Sequence, residues 1–479
     1  MSASSKRSTA LMVFAALAAR VLLVHFGWHA PLASRIELSS PVDSLARLRE
    51  GAVLVDMDMS PYEGSMLHVP PMVLLVFAPF LYVADALGAS KALYASFVRS
   101  APFVSLDALV AAAIFAVATS VAEVAIDADA TAKRRDLGRG AVTVAPPTRA
   151  PSFAACAYLL NPMSVASCVA GSTSALGTAC VATAAAAACK KKPEPLVAGA
   201  CLATLLFVSS DARVPFLLLY PIATLARDGA AGDAGVPRRT EATSPEDKDE
   251  DGAERRARGR RRFRATFGGF FATVALLGVV SSIAYADVGV TFAQWTRATY
   301  GFTFAVEDLT PNLGAHWYIF AEMFAHVRGF FLFVFHAFPV FLSAPVLVRY
   351  GHARPIFAIG IVLALSVALG PYPTWGNVAG YLAFAPVFAR ETSPSGTGAG
   401  GETPSGSPRI GFAVSAASAL TATLTPIFWH LWIETRVANA NFLFAVTLAH
   451  FAAQSVLIVS WIGAAVNRDA ASGRKRKTA

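Results

Sequence analysis

Apolar runs close to the length of a membrane span recur from one end of this chain to the other. About 20 apolar residues wound as a helix cross roughly 30 Å of hydrocarbon. Runs near that length lie at about 9–26, 68–87, 99–125, 152–168, 172–189, 195–208, 212–227, 267–285, 316–348, 355–370, 374–390, 410–433 and 441–465. In lipid every backbone N–H and C=O must be paired within the protein, which leaves helical bundles or closed barrels. The Leu/Ala/Val/Phe runs lack period-two alternation, so the expected fold is all-α, a polytopic membrane bundle of about 10–12 transmembrane helices. Some Ala-rich segments between 152 and 208 are open to a re-entrant or tilted reading. With 55% hydrophobic and 15% charged residues, against about a quarter charged in soluble domains, the chain reads as one membrane domain over 1–479.

Charge marks the interruptions and the orientation. A hydrophilic linker is expected at 126–150, a disordered charged cytosolic loop at 228–264, a Ser/Gly/Pro-rich linker at 392–408 and a basic cytosolic tail at 466–479. The arginines from Arg255 to Arg264 directly precede the run at Phe267, and the positive-inside bias puts that end in the cytosol. Lys6 and Arg7 likewise place the N-terminus in the cytosol ahead of a retained first helix, making 29–67 the first lumenal loop, with one short interfacial helix ending at Gly51. The net charge of +9 sits in linkers and tail instead of interleaving with exposed aromatics, which argues against nucleic acid and for anionic lipid headgroups. Lys475 and Lys477 match the dilysine retrieval pattern of endoplasmic reticulum membrane proteins; an ordinary basic stop-transfer flank is the other reading.

Catalytic signatures are scarce. The five cysteines, all between Cys156 and Cys201, lie in apolar runs without CxxC or Cys/His spacing and read as packing thiols. There is no HExxH, GxSxG, Walker loop or GxGxxG. His316, His326 and His336 are ten apart, a spacing that on one straight helix separates neighbours by about 15 Å, so no metal site or cofactor is expected. Glu322 is expected to pair with His326 one turn on. The strongest enzymatic hint is Asp56 and Asp58 in the first loop, where a carboxylate can act as base or hold a divalent cation at a sugar phosphate; helix capping or solvation is the plainer reading.

Five separated motifs in one order carry a resemblance: SSPVDSLARLREGAVLVDMDMSPYEGSMLH at 39–68, LLNPMSVASCVAGST at 159–173, DLTPNLGAHWYIFAEMFAHV at 308–327, YPTWGNVAGYLAFAPVF at 372–388 and FWHLWIETRVANANFLFAVTL at 428–448. Together they resemble the PIG-U family, the multispanning subunit of the GPI transamidase complex. One departure is Asp58, where family members carry Gly or another small residue.

The resemblance implies a bundle similar to C-type glycosyltransferases that is itself non-catalytic, in the endoplasmic reticulum membrane, binding and presenting the GPI lipid while a caspase-like partner, PIG-K, cleaves and transfers. Trp429 and Trp432 are expected near the membrane interface, and the resemblance adds Asn439, Asn441 and His430 to them as GPI contacts; the other reading is that Asn439 caps the final helix and Asn441 bonds to a neighbouring helix. Asp56, Asp58, Asp308 and Asn312 are expected as lumenal loop contacts. Expected partners are the other transamidase subunits, the GPI glycolipid and membrane lipids. The first loop alone also resembles that of the first GPI mannosyltransferase, so the alternative is a dolichol-phosphate-mannose-dependent enzyme using Asp56 and Asp58. A transporter would require intramembrane charges along a path or inverted repeats, and neither is evident.

Overall fold

The computed structural model describes residues 3–88, 91–136, 151–230, 245–389 and 408–478. Among these the chain is helical throughout, with no strand. Six helices are long and apolar enough to cross a membrane: Arg7–His25, Ala92–Ile126, Ala253–Ile283, Ala325–Tyr350, Phe412–Glu434 and Ala440–Ala471. Pro151–Leu159 and Pro162–Ala170 form a pair bent by 48° at the Asn161-Pro162 break, the geometry of a broken span or a re-entrant loop. Shorter apolar helices, Ala175–Cys189, Pro195–Val208 and Pro355–Ala368, fill the interior. Twelve buried residues of Pro355–Ala368 show that it meets protein nearly all round, so its 14 residues need not match the bilayer.

Small residues permit this density. A Cβ on Gly199 would lie 2.1 Å from the Thr266 carbonyl oxygen, and one on Gly269 would lie 2.5 Å from that of Leu196. The Pro195–Val208 helix and the Pro245–Ile283 helix therefore touch backbone to backbone, the contact by which helices associate where hydrophobicity supplies no drive between them.

The bend at Asn161-Pro162 frees backbone carbonyls inside the bundle, and the sequence supplies their partners. Ser164 Oγ donates to the Tyr158 carbonyl (2.6 Å), and Arg20 Nη2 donates to that of Leu159 (2.9 Å). Arg20, the one charge in the first apolar run, is 1% exposed and also donates through Nε to Asp107 (2.8 Å). Tyr158 Oη donates to the other Asp107 oxygen (2.8 Å). One buried ion pair thus ties the first helix, Ala92–Asp136 and the bent pair together.

Two groups of contacts define the ends. Lys191–Glu123 (3.2 Å), Arg349–Asp469 (3.0 Å) and Arg354–Asp469 (2.5 Å) join the basic turns at one end. At the other end the first loop docks on later segments: the Trp375 N–H donates to the Glu37 carbonyl (2.9 Å) and that of Thr173 to Asp43 (3.1 Å).

Several elements differ from expectation. The first-loop helix runs on through Gly51 to Asp56; Gly51 is buried, and a Cβ there would meet Leu67 Cδ2 at 2.9 Å, so the glycine serves close packing instead of termination. The 68–87 run, Pro71–Leu87 as a helix, lies against that first-loop helix: Tyr82 donates to the Ala52 carbonyl (2.7 Å) and Asp85 pairs with Arg49 (2.8 Å) and Arg99 (3.8 Å). The 316–348 run breaks at Met323 and Phe324, both extended, into His316–Glu322 and Ala325–Tyr350. In the expected charged loop at 228–264, residues 245–264 are the start of the Pro245–Ile283 helix, because Arg, Glu and Ala favour helix once one is nucleated by the apolar run beyond; 231–244 lie outside the described residues. So do 137–150 of the first linker, whose beginning continues the helix to Asp136, and the 392–408 linker up to Pro408. The tail backbone is helical through Thr478, while the Lys475 and Lys477 side chains lie outside the described residues.

Candidate functional site

The inner helices Pro195–Val208 and Pro355–Ala368 have 14 residues each and reach only about 21 Å. Their C-termini, with the N-termini of Ala175–Cys189, Arg213–Asp228 and Trp375–Leu382, meet near the docked first loop around a half-open cavity, with about 970 Å³ of empty space including the solvent at its mouth. Its walls are mixed, with Leu205, Val208 and Leu363 among the apolar residues and Ser209, Ser210 and Asn377 among the polar ones.

Asp43, which the sequence reading passed over, organises one wall. Its carboxylate, 5% exposed as a residue, accepts from the Ser40 N–H (2.6 Å) and hydroxyl (2.7 Å), from Ser172 (3.1 Å) and from Thr374 (3.1 Å). Burial pushes its carboxyl above the ordinary range, against the pull of these donors. The only sequence hint was its place between a Pro41 turn and a helix start, which singles out nothing. On the far wall, burial would raise the Asp211 carboxyl, but the Arg213 guanidinium, bound to both its oxygens (2.9 and 2.8 Å), holds it below the usual range. Thr303 and Ser366, both 6% exposed, also line the cavity, and their hydroxyls have no hydrogen-bond partner among the described residues.

The Trp/Asn-rich segment meets the 308–327 segment. Ile36, Trp317 and Leu443 are buried together under Tyr318, Phe428, Trp429, Trp432 and Phe444. The Trp432 ring stacks on Trp317 and meets Trp429 edge-on, both at 6.3 Å. Asn439 is exposed and caps the last helix, its Oδ1 accepting the Asn441 N–H (3.0 Å). Asn441 is exposed as well, and its Oδ1 accepts from Tyr318. His430 pairs with Glu434 at 2.6 Å on an exposed π-turn. These five residues thus lie on one aromatic rim.

The other loop residues do different work. Asp308 pairs with Arg47 (2.7 Å) and accepts the Thr310 N–H (2.8 Å). Asn312 is buried; its Oδ1 accepts from the Gly314 N–H (2.7 Å), and its own carbonyl accepts from Thr447 (3.4 Å). Both residues therefore hold loops of this chain to one another. Asp56 and Asp58 are exposed. Asp58 has φ of +57°, a left-handed backbone that glycine adopts freely. Glu322 and His326 do not pair: the break at 323–324 puts them on separate helices, and His326 stacks on Phe324 (5.9 Å). The same break folds His316 back to within 6.5 Å of His336, far closer than one straight helix allows. No group of three or more His, Cys, Asp or Glu able to hold a metal occurs among the described residues.

A polytopic helical membrane protein with a mixed cavity and a tryptophan–asparagine rim at one end is the class that this architecture defines. Residues 14–450 match the family described as PIG-U, GPI transamidase subunit. The chain belongs to that family. The GPI-anchor transamidase component PIGU of Homo sapiens is 27% identical over 475 residues, covering 96% of this chain and 94% of that one. The protein of that name from Cricetulus griseus is 27% identical over 476 residues with the same coverage. The GPI transamidase component GAB1 of Saccharomyces cerevisiae is 29% identical over 192 residues, 39% of this chain and 44% of its own. The mannosyltransferase alternative finds no support in these relatives.

Proposed function

We propose that this chain is the subunit of a GPI transamidase that receives the GPI lipid in the endoplasmic reticulum membrane and presents it to a catalytic partner of the caspase-like PIG-K type. The observation that carries this reading is the rim, where Trp429 and Trp432 lie on a buried aromatic base while Asn439 and Asn441 stay exposed. Indole rings favour the membrane interface, and exposed amides supply uncharged donors and acceptors to a headgroup. His430 and Glu434 extend the polar edge. Asp308 and Asn312 act beneath the rim by keeping its loops in place.

The test is complementation in cells lacking the endogenous subunit. The Asn439→Ala/Asn441→Ala protein is expected to assemble normally yet leave complete GPI lipid and unprocessed precursor accumulating. Normal precursor processing with an assembled variant would overturn the rim as the lipid contact.

A further inference from the structure

At the basic end, a groove with about 510 Å³ of empty space lies between Arg213–Asp228 and the start of the Pro245–Ile283 helix, lined by Tyr220, Thr224, Arg227, Arg260, Phe263 and Arg264. It is remote in sequence from the rim and plays no part in the proposed presentation of GPI. Three guanidinium groups converge on it from two helices. Arg227 is oriented by Asp228, which accepts from its Nε (3.0 Å) and Nη2 (2.7 Å), and its Nη2 also reaches His352. Gly259, out of place as a helix weakener within an arginine run, has a reason here: a Cβ on it would lie 3.2 Å from Arg227 Cγ. The glycine lets that side chain cross the neighbouring helix. Arg260 and Arg264, one turn apart, share a face. Asp228 offsets Arg227, so Arg260 and Arg264 give the groove its net positive charge.

Below the charges the walls turn aromatic. Tyr220 meets Phe263 (6.5 Å), Phe263 meets Phe267 (5.1 Å), and Phe216 meets Phe270 (5.6 Å). Phe216, Tyr220 and Phe271 are 52%, 40% and 54% exposed, and the spacings 216–220 and 263–267–271 set each series along one helix face toward mid-membrane. The site thus has a cationic head at the membrane surface and an apolar track leading inward, and the positive-inside bias assigns its end to the cytosol.

We propose that this groove binds an anionic glycerophospholipid of the cytosolic leaflet, its phosphate held by Arg260 and Arg264 with Arg227 as third donor, and its acyl chains lying along the Phe/Tyr track. Basic pockets between spans on that side suit such headgroups, and guanidinium forks match phosphate oxygens bidentately. A free phosphate would use the head of the site but not the track.

The test uses the full-length chain in digitonin, stripped of lipid and offered tail-labelled dioleoyl phosphatidylinositol or dioleoyl phosphatidylcholine, with inorganic phosphate as competitor. The wild type is expected to retain phosphatidylinositol at least about tenfold better than phosphatidylcholine, and Arg260→Gln/Arg264→Gln to abolish the difference. Phe216→Ala/Phe271→Ala is expected to lower retention of both lipids. Equal retention of the two lipids by the wild type would overturn the proposal, and so would full displacement by millimolar phosphate, which would mark a phosphate site without a lipid. Because the lipid comparison and the phosphate competition are made on the wild type, the outcome does not depend on any variant folding.

Discussion

Replacing Arg20 by leucine removes four hydrogen bonds at once: to Asp107 (2.8 Å), to the carbonyls of Ala16 (2.8 Å) and Leu159 (2.9 Å), and to Ser164 Oγ (3.2 Å). Both members of the ion pair are nearly sealed, with side chains 1% and 2% exposed, so Asp107 is left with Tyr158 as its remaining donor among these contacts. Breaking a buried pair from one side costs about 3–5 kcal/mol, much of it the stranded charge, whereas replacing both members with apolar residues is often close to neutral. Arg20→Leu here strands the Leu159 carbonyl at the helix bend as well, and Arg20→Leu/Asp107→Leu strands that carbonyl and the buried Tyr158 hydroxyl, at about 1–3 kcal/mol for each group. The expected order of stability is therefore wild type, then double variant, then Arg20→Leu, with the single variant about 4–8 kcal/mol down and the double about 2–6 kcal/mol down. Reversible unfolding in mixed micelles at increasing dodecyl sulfate fraction measures all three, with Asp107→Leu closing the cycle. A double variant no better than Arg20→Leu would refute the stranded-charge account, and a single variant within about 1 kcal/mol of wild type would show that the pair does not hold the first helix.

Gly199→Val places a side chain against the Thr266 carbonyl, where even a Cβ would sit at 2.1 Å; a loss of about 3 kcal/mol or more is expected, since overpacking costs about 1–3 kcal/mol even where side chains can yield, and an unchanged melting temperature would count against the backbone contact. Asp58→Gly relieves a φ of +57° and is expected to raise stability by up to about 1 kcal/mol with precursor processing intact; lost processing in an assembled complex would restore a role to the carboxylate. Burial alone would raise the Asp308 carboxyl, but donors from Thr310 and the Arg47 guanidinium hold it below the usual range. A depressed carboxyl contributes stability that is present above its unfolded value near pH 4 and lost as pH falls through its lower folded value. Asp308→Asn is therefore expected to lower the melting temperature at pH 7 and to flatten its acid dependence below about pH 4; an identical acid profile would refute the assignment.

What a local pattern encodes was legible in the sequence. Apolar run lengths specify helices in lipid because the backbone has no alternative there, and the Trp429–Asn441 stretch could be singled out because indoles and amides at a span boundary have a chemistry of their own. The resemblance located by ordered motifs agrees with the family to which residues 14–450 belong. The tertiary structure decided everything that depends on meeting a distant segment. Asp43 looked like any loop aspartate until Ser172 and Thr374 closed around it. Gly51 read as a terminator because its partner Leu67 is not visible in a local pattern. The 68–87 run was legible as an apolar helix, but only the fold showed that it packs against the first-loop helix, with Asp85 paired to Arg49 and Arg99. A backbone break at Met323 and Phe324 turned histidines twenty residues apart into neighbours. Hydropathy reports the cost of leaving water, which each residue carries alone; a buried charge, a close glycine or a cavity is a property of pairs, and its energy exists only once the partner has arrived.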